Sequence, residues 1–465
     1  MPVNLHDIRY VYFLGIGGIG MSAIARWFRA AGVPVWGYDK TQTPLCAQLE
    51  AEGCNIHYED NIALIPAEIL NNPGQSLIVW TPAVPKDHTE LNLFSNKGFL
   101  LKKRAEVLGI IASGHKCVAV AGTHGKTTTS SMIAHLLRHA GRNVTAFLGG
   151  ITVNYQSNLL LSSAPASETI LVAEADEFDR SFLHLHPDIA VITAADADHL
   201  DIYGSAEALT ETFGMFASQV KPGGHLFMRQ GLGLPVPEGL ACISYGLEQG
   251  TLHAGQVRVI PPVFQFPLYF RQSSGIDELL ADITLQMPGY HNVENAVAAA
   301  GVAFELGLSR QEVEQGLGSY LGVKRRFEYI VQTDACIYID DYAHHPTEIE
   351  AFLKSVRALY PDRKLTCIFQ PHLFTRTRDF MAGFAEALSL PDELILTEIY
   401  PAREKPLEGI NSTVLLSKIN LDHKQLMDSK LIPAYLKLNK PELLVTVGAG
   451  DIDRLINPLK VILEA

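Results

Sequence analysis

Residues 118–131 read VAVAGTHGKTTTSS. Four small or β-branched apolar residues run straight into Gly122-Thr123-His124-Gly125-Lys126-Thr127, and an apolar helical pattern follows over 132–137. The order is strand, phosphate loop, helix. Glycines let backbone N–H groups close around a polyphosphate, Lys126 supplies a point charge for the β/γ-phosphates, and Thr127 offers a hydroxyl to Mg²⁺. The spacing departs from G-x-x-x-x-G-K-[ST], because Val120 stands where the first glycine would be, and the loop is the shorter G-T-x-G-K-T. A chance Gly-Lys-Thr in a surface turn would not come with the strand and the helix. The chain is therefore read as a user of nucleoside triphosphate.

At 465 residues the chain has room for two to four domains, on a prior of roughly 150 residues each. With 47% hydrophobic and 19% charged residues it is ordinary globular material with a sizeable core. A formal net charge of −13 argues against a nucleic-acid partner. The six cysteines are scattered without a C-x-x-C, so neither a zinc knuckle nor a disulfide framework is indicated. The sequence MPVNLHDIRYVYF lacks a signal-peptide layout, and no apolar run reaches the ~18 residues of a membrane span. A soluble, cytoplasmic protein without a membrane partner is expected.

Working outward, the N-terminal segment opens with a strand over 10–14, followed by GIGGIGMSAIARWFRAAG. Gly15, Gly17 and Gly20 fit G-x-G-x-x-G. The next strand ends at Asp39, 19 residues past Gly20, which is the layout of a mononucleotide-binding βαβ unit. Alone, this fingerprint fits NAD, any nucleotide diphosphate or a structural turn. A boundary is expected near 112–115. In the middle segment, TILVAEADEFDRSF and IAVITAADADHLDIYG are apolar strands ending in carboxylates, where open α/β sheets bind ligands. Glu174 suits Mg²⁺, which takes a few carboxylates besides water and phosphate oxygens. His199 fits a ligand or a structural role equally well, and Asp176, Glu177 and Asp179 fit solvated charges. Residues 261–270 suggest a β-hairpin. From about Gly322 strands and helices alternate again, giving IYIDDYA-HHP, LTCIFQ-PHLFTRTRDF, ELILTEIY and LLVTVGAGDID, a second mainly parallel unit. Arg376 and Arg378 offer guanidinium groups for a carboxylate or for a surface ion pair. Lys324-Arg325-Arg326 fits phosphate neutralisation or plain solvation.

Taken in order, GIGGIGMS, GTHGKTTT, EADEFDRSF, DADHLD, YHNVENAVAA, RRFE, DDYAHHPTEI, QPHLFTRTRDF and GAGDI span the whole chain, and the set resembles the Mur ligases. The resemblance implies an α/β protein of three domains. A Rossmann-like UDP-binding domain would cover 1–112, a central P-loop ATPase-like domain 113–322, and a C-terminal Rossmann-like domain that helps place ATP and the amino acid 323–465. It implies an ATP-dependent ligase that joins L-alanine to the carboxylate of UDP-N-acetylmuramate through an acyl phosphate, in peptidoglycan precursor synthesis, as a monomer or homodimer. Gly15, Gly17, Gly18, Gly20, Asp39 and Arg104, with His124 near the muramate carboxylate, would bind the UDP-sugar. Gly122, Thr123, His124, Gly125, Lys126, Thr127 and Thr128, with His291, Asn292, Asn295, Arg326 and Asp341, would bind ATP. Thr127 and Glu174 would hold one Mg²⁺ and His199 a second, with Mn²⁺ as an alternative metal. Tyr342, His344 and Arg376 would face the amino acid, and His199 or His344 would serve as base. Lys126, Glu174, His199, His344 and Arg376 form the expected catalytic set.

The chain departs from that pattern at four places. Leu373 stands where many alanine-adding members carry arginine, Ala343 where glycine is common, and Arg180 where a small residue is frequent. No lysine lies between His199 and Lys221, where several sister ligases carry a carbamylated lysine. Three other readings remain at this stage: a nucleotide-switched binding protein, a sister ligase that attaches a preformed peptide in wall recycling, and an NAD-dependent dehydrogenase built on the first glycine fingerprint. The last leaves the phosphate loop, Glu174 and the asparagine pair unexplained.

Overall fold

A computed structural model describes residues 5–196, 206–402 and 404–464. Its frame is three largely parallel sheets. The first has the order β3-β2-β1-β4-β5, with β1 at Tyr10–Leu14, β2 at Val35–Tyr38, β3 at Asn55–His57, β4 at Ser76–Trp80 and β5 at Leu100–Lys103. All its pairings are parallel, with Val11 opposite both Val35 and Leu77. Both faces are covered, which is why these strands read as apolar runs. The helix Ile19–Ala30 lays Met21, Ile24 and Phe28 on one face. Tyr12, Leu14, Ile78 and Phe94 build a separate core on the other.

That second core contains a polar exception. The Tyr12 hydroxyl lies 2.7 Å from Oε2 of Glu90, a side chain with no exposed surface, and 2.6 Å from Nε2 of His57. His57 Nδ1 is 2.9 Å from the Glu59 carbonyl, and the Asn61 N–H donates to Glu90 Oε1.

The second sheet is built on β6 (Lys116–Ala121), the strand that feeds the phosphate loop. It runs β13-β12-β11-β10-β6-β9-β7-β8, with β7 at Val144–Phe147, β8 at Leu159–Leu160, β9 at Ile170–Glu174, β10 at Ile189–Ile192, β11 at His225–Arg229, β12 at Ala241–Gly246 and β13 at Leu252–Ala254. β6 is central, buried from Cys117 to Ala121 and flanked in parallel by β9 and β10. The hairpin expected over 261–270 is shifted. Pro261 and Pro262 form its turn, and the strands are β14 (Arg258–Ile260) and β15 (Val263–Arg271), with β16 (Asp277–Leu285) pairing β15. Neither proline interrupts a ladder, since a proline has no N–H to donate to one.

The third sheet runs β17-β18-β22-β19-β20-β21, with β17 at Glu328–Gln332, β18 at Ile337–Asp341, β19 at Leu365–Phe369, β20 at Glu393–Leu396, β21 at Lys424–Leu426 and β22 at Leu443–Val447. Only β17 is antiparallel, with a register shift between Tyr329 and Val331. Asp341 and Phe369 both lie opposite Val447, so the DDYAHHP, QPH and GAGD turns leave the sheet side by side.

Packing divides the chain into two compact units: Met1–His253 with Leu268–Ala281 and Asn295–Gly316, and Ala254–Pro267 with Asp282–Glu294 and Leu317–Ala465. The first unit carries one core from Phe28, Val107 and Ile111 through to Phe147, Leu159 and Phe182, joining the first two sheets. No helix among the described residues is long and apolar enough to cross a membrane.

Candidate active site

The phosphate loop leaves β6 at Gly122 and enters the helix Lys126–His139, whose N-cap is Gly125 at φ +79°. A Cβ at Gly125 would also lie 2.7 Å from Asn295 Oδ1, so this position needs glycine for both conformation and space. Asn295 is thereby tied to the loop, and its Oδ1 also accepts from the Thr129 hydroxyl at 3.1 Å. Lys126 Nζ donates to the Gly122 carbonyl (2.6 Å) and pairs with Glu177 at 2.8 Å. Burial pushes the lysine pKa down, but Glu177, Asp176 and Glu174 outweigh it and hold the ammonium above the ordinary lysine value.

Thr127 Oγ1 donates to Glu174 Oε2 at 2.8 Å, and the Gly149 N–H donates to the same oxygen at 3.0 Å. A hydroxyl and a carboxylate converge here, both hard oxygen donors that suit Mg²⁺. The described residues hold no group of three or more His, Cys, Asp or Glu able to hold a metal. Mg²⁺ needs no such cage when phosphate and water complete its shell. His199, like Asp198 and Asp201, lies outside the described residues.

One expectation is corrected. Glu177 is not a solvated charge: its side chain is 1% exposed and neutralises Lys126. Asp176 is partly exposed but also has a partner, Arg104 at 3.0 Å. The signal for Glu177 was its place just beyond a buried strand, close behind Glu174; hydropathy alone does not separate an inward carboxylate from an outward one. Sequence reading also missed Thr193, whose hydroxyl bonds the Ala121 and His124 carbonyls and so fixes the back of the loop. His124 itself faces Asp196 at 3.5 Å.

In the first sheet, the Gly17 N–H donates to Asp39 Oδ2 at 2.8 Å, and the Thr41 N–H donates to Oδ1. Asp39 therefore braces the glycine turn from behind. Gly20 sits against the Arg104 guanidinium, 2.6 Å from a would-be Cβ, and Gly15 takes φ +85°. Gly18 caps the helix Ile19–Ala30 with extended backbone.

At the ends of the third sheet, Tyr342, His344, His372, Arg326 and Arg376 come together. Tyr342 and His344 rings are 5.4 Å apart, His344 and His372 6.1 Å, and the Arg326 guanidinium lies 5.8 Å from the Tyr342 ring. Arg376 Nη1 lies 3.5 Å from His372 Nδ1. Burial lowers the His344 pKa against the opposing pull of Glu348. Burial, with His344 and Arg376 nearby, brings His372 down to about 4. Asp341 accepts from the Phe327 and Ala343 N–H groups, both at 2.7 Å, yet burial raises it to about 7. Arg325 bonds Asp340 and the Gly448 carbonyl and also lies 5.2 Å from the Tyr342 ring, so both arginines of the pair flank that ring. Leu373 adopts φ +71°, a conformation a branched residue reaches only under strain. His291 and Asn292 fall in the second compact unit: burial lowers His291 to about 4, and the Asn292 amide donates to the Pro288 carbonyl. Arg378 pairs with its neighbour Asp379 at the surface.

A phosphate loop on a central parallel strand, preceded in the chain by a glycine-turn sheet and followed by a third α/β sheet, defines a class, and sequence comparison names it. Residues 10–116 match the Mur ligase family, catalytic domain, residues 120–303 the Mur ligase middle domain, and residues 325–450 the Mur ligase, glutamate ligase domain. The chain belongs to the Mur ligase family and has its three-domain architecture. It is 45% identical to a UDP-N-acetylmuramate–L-alanine ligase of Cytophaga hutchinsonii, over 99% of this chain and 98% of the relative. A solved UDP-N-acetylmuramate–alanine ligase from Thermotoga maritima superposes with a TM-score of 0.80 at 26% identity, covering 96% of this chain and 97% of that one. A murein peptide ligase from Psychrobacter arcticus shares the fold, with a TM-score of 0.69 at 23% identity over 98% of both chains.

Proposed function

We propose that this chain is an ATP-dependent ligase that forms the amide between L-alanine and the carboxylate of UDP-N-acetylmuramate, releasing ADP and phosphate. The observation that carries the chemistry is the loop in which Lys126, Thr127 and Glu174 converge at the mouth of β6. A free carboxylate is a poor acyl donor, so the γ-phosphoryl group is first moved onto it, giving an acyl phosphate that the amine attacks.

Each residue group has its part. Lys126 moves from Glu177 to the β/γ-phosphates and stabilises charge on the transferring phosphoryl. Thr127 and Glu174 hold Mg²⁺, which when bound supplies charge neutralisation at the phosphates. Gly122 to Thr128 bind the triphosphate side, His291, Asn292 and Asn295 serve the adenine, and Arg326 and Asp341 the phosphates and ribose. Gly15 to Gly20, Asp39, Arg104 and His124 take the UDP-sugar. Arg376 holds the amino-acid carboxylate with a planar fork. His344 Nδ1 lies 3.0 Å from the Tyr342 carbonyl, which can only accept, so Nδ1 carries the hydrogen and Nε2 is the basic nitrogen. Kept neutral by burial, that ring takes the proton from the incoming ammonium.

Phosphate release measured with UDP-N-acetylmuramate, ATP and a panel of amino acids and tripeptides tests the reading. L-alanine should be preferred, with glycine and L-serine weaker, since one methylene is worth only about 1–3 kcal/mol of discrimination. Release with a tripeptide and not with L-alanine would instead make the chain a peptide-adding ligase.

A further inference from the structure

The helix that carries Arg376, Phe374–Asp379, starts without a cap of its own. Its N-cap residue is Leu373, whose side chain has no acceptor for the orphan N–H groups and whose backbone is left-handed. The missing acceptor comes from Glu404, thirty positions away in sequence. Its Oε2 accepts from the backbone N–H of Phe374 at 2.6 Å and of Thr375 at 3.1 Å, and its Oε1 accepts from the Thr375 hydroxyl. The same two strand-end turns are stapled twice more, by the Leu373 N–H to the Tyr400 carbonyl at 2.9 Å and the Tyr400 N–H to the Pro371 carbonyl at 2.8 Å. The Tyr400 ring stacks on His372, 5.7 Å away and 18° from parallel.

We propose that Glu404 is the positioning residue for the amino-acid site: it fixes the start of the Arg376 helix, and with it the direction in which the guanidinium meets the α-carboxylate of L-alanine. Three charge-assisted bonds to one turn define a rotation as well as a position, which a single cap bond does not. Arg376 lies in the first turn of this helix, so an error at the cap reaches its fork undamped. Leu373, strained and capless, cannot hold the turn in its place. This assignment rests on the reading of Arg376 as the carboxylate partner.

The test is steady-state phosphate release on Glu404→Ala and Glu404→Gln, with Arg376→Lys in parallel. Glu404→Ala should raise the L-alanine KM about tenfold, the order of one lost cap, and leave the KM values of ATP and UDP-N-acetylmuramate within about twofold. Glu404→Gln keeps an acceptor oxygen and should recover most of the loss. If Arg376→Lys raises the L-alanine KM and Glu404→Ala does not, the positioning role is wrong. If Arg376→Lys itself leaves that KM unchanged, the underlying reading of Arg376 is wrong. Equal increases in all three KM values for Glu404→Ala, with no recovery in Glu404→Gln, would reduce Glu404 to a general structural contact and overturn the proposal.

Discussion

The first unit contains the strand–glycine turn–helix theme twice, and the two copies are wired differently. At the end of β1 the turn is braced by a carboxylate, Asp39, that takes a backbone N–H of the turn itself. At the end of β6 the carboxylates are aimed at side chains: Glu177 at the Lys126 ammonium and Glu174 at the Thr127 hydroxyl. On the proposed reading the first turn takes a diphosphate that undergoes no chemistry, through backbone donors and Arg104. The second holds a paired, largely buried ammonium and a hydroxyl–carboxylate pair, the groups a phosphate that changes bonding requires.

The sharpest way to break that contrast is Lys126→Ala. Turnover should fall by about 10³-fold, the scale of losing a transition-state charge partner. The fold should also weaken, because Glu177 is left buried and unpaired, a loss of roughly 3–5 kcal/mol for such pairs. Adding Glu177→Gln should restore the melting temperature and not the activity. Near-normal phosphate release in the single variant would make the two turns equivalent. Next in size, Glu174→Gln should raise the Mg²⁺ concentration for half-maximal activity by roughly tenfold or more, since the site has few protein ligands. An unchanged metal titration would make Glu174 structural.

Gly17→Ala addresses the other turn. Its Cβ would fall 2.5 Å from Cys46 Sγ and 2.9 Å from Asp39 Oδ2. Overpacking of this kind costs on the order of 1–3 kcal/mol. The UDP-N-acetylmuramate KM should rise several-fold with the ATP KM unmoved; a matched rise in both would show that the turns do not act separately. The smallest effect is a shift in melting temperature of a few degrees with saturating UDP-N-acetylmuramate and none with NAD, by mass action on the native state. The reverse result would return the first turn to a dinucleotide.

The two copies were also unequally legible. Strands β1, β6 and β18 stand out as apolar runs because both faces of a parallel sheet are buried, and a glycine turn follows β1 and β6 directly. Lys126, Thr127 and Glu174 were readable for the same reason, being fixed in position by the strand ends that carry them. Glu177 and Glu404 were not. Each is one carboxylate among 50 acidic residues, and its role is set by a partner 51 or 30 positions away. The direction of Asp39 was equally hidden: spacing places a carboxylate near the turn, and only packing decides that it faces the turn's own backbone.

The Tyr12–His57–Glu90 trio under the first sheet keeps a proton account of its own. The Glu59 carbonyl only accepts, so His57 Nδ1 carries a hydrogen. Tyr12 has a single proton for two neighbours, and the chain of contacts closes only if one further proton sits on Glu90 or on His57 Nε2. Burial raises Glu90 from 4.5 to about 7 and lowers His57 from 6.5, so the native state stores that proton on the carboxyl. Below pH 6.5 the unfolded imidazole takes up its proton before the lowered native one does, which offsets the proton that native Glu90 already holds. Above 6.5 the unfolded histidine gives up its proton before native Glu90 does, and stability falls as pH rises through about 7. Glu90→Gln, whose amide can donate to Tyr12 in place of the carboxyl proton, should remove that offset, with stability rising from pH 5 to 6.5 relative to the parent in urea melts, while Asp60 and His88 beside it stay as they are. A difference curve that stays level would show that the trio exchanges no proton on unfolding. This trio gives the sheet proposed to receive the UDP-sugar a proton reserve of its own, held on a buried carboxyl up to about pH 7.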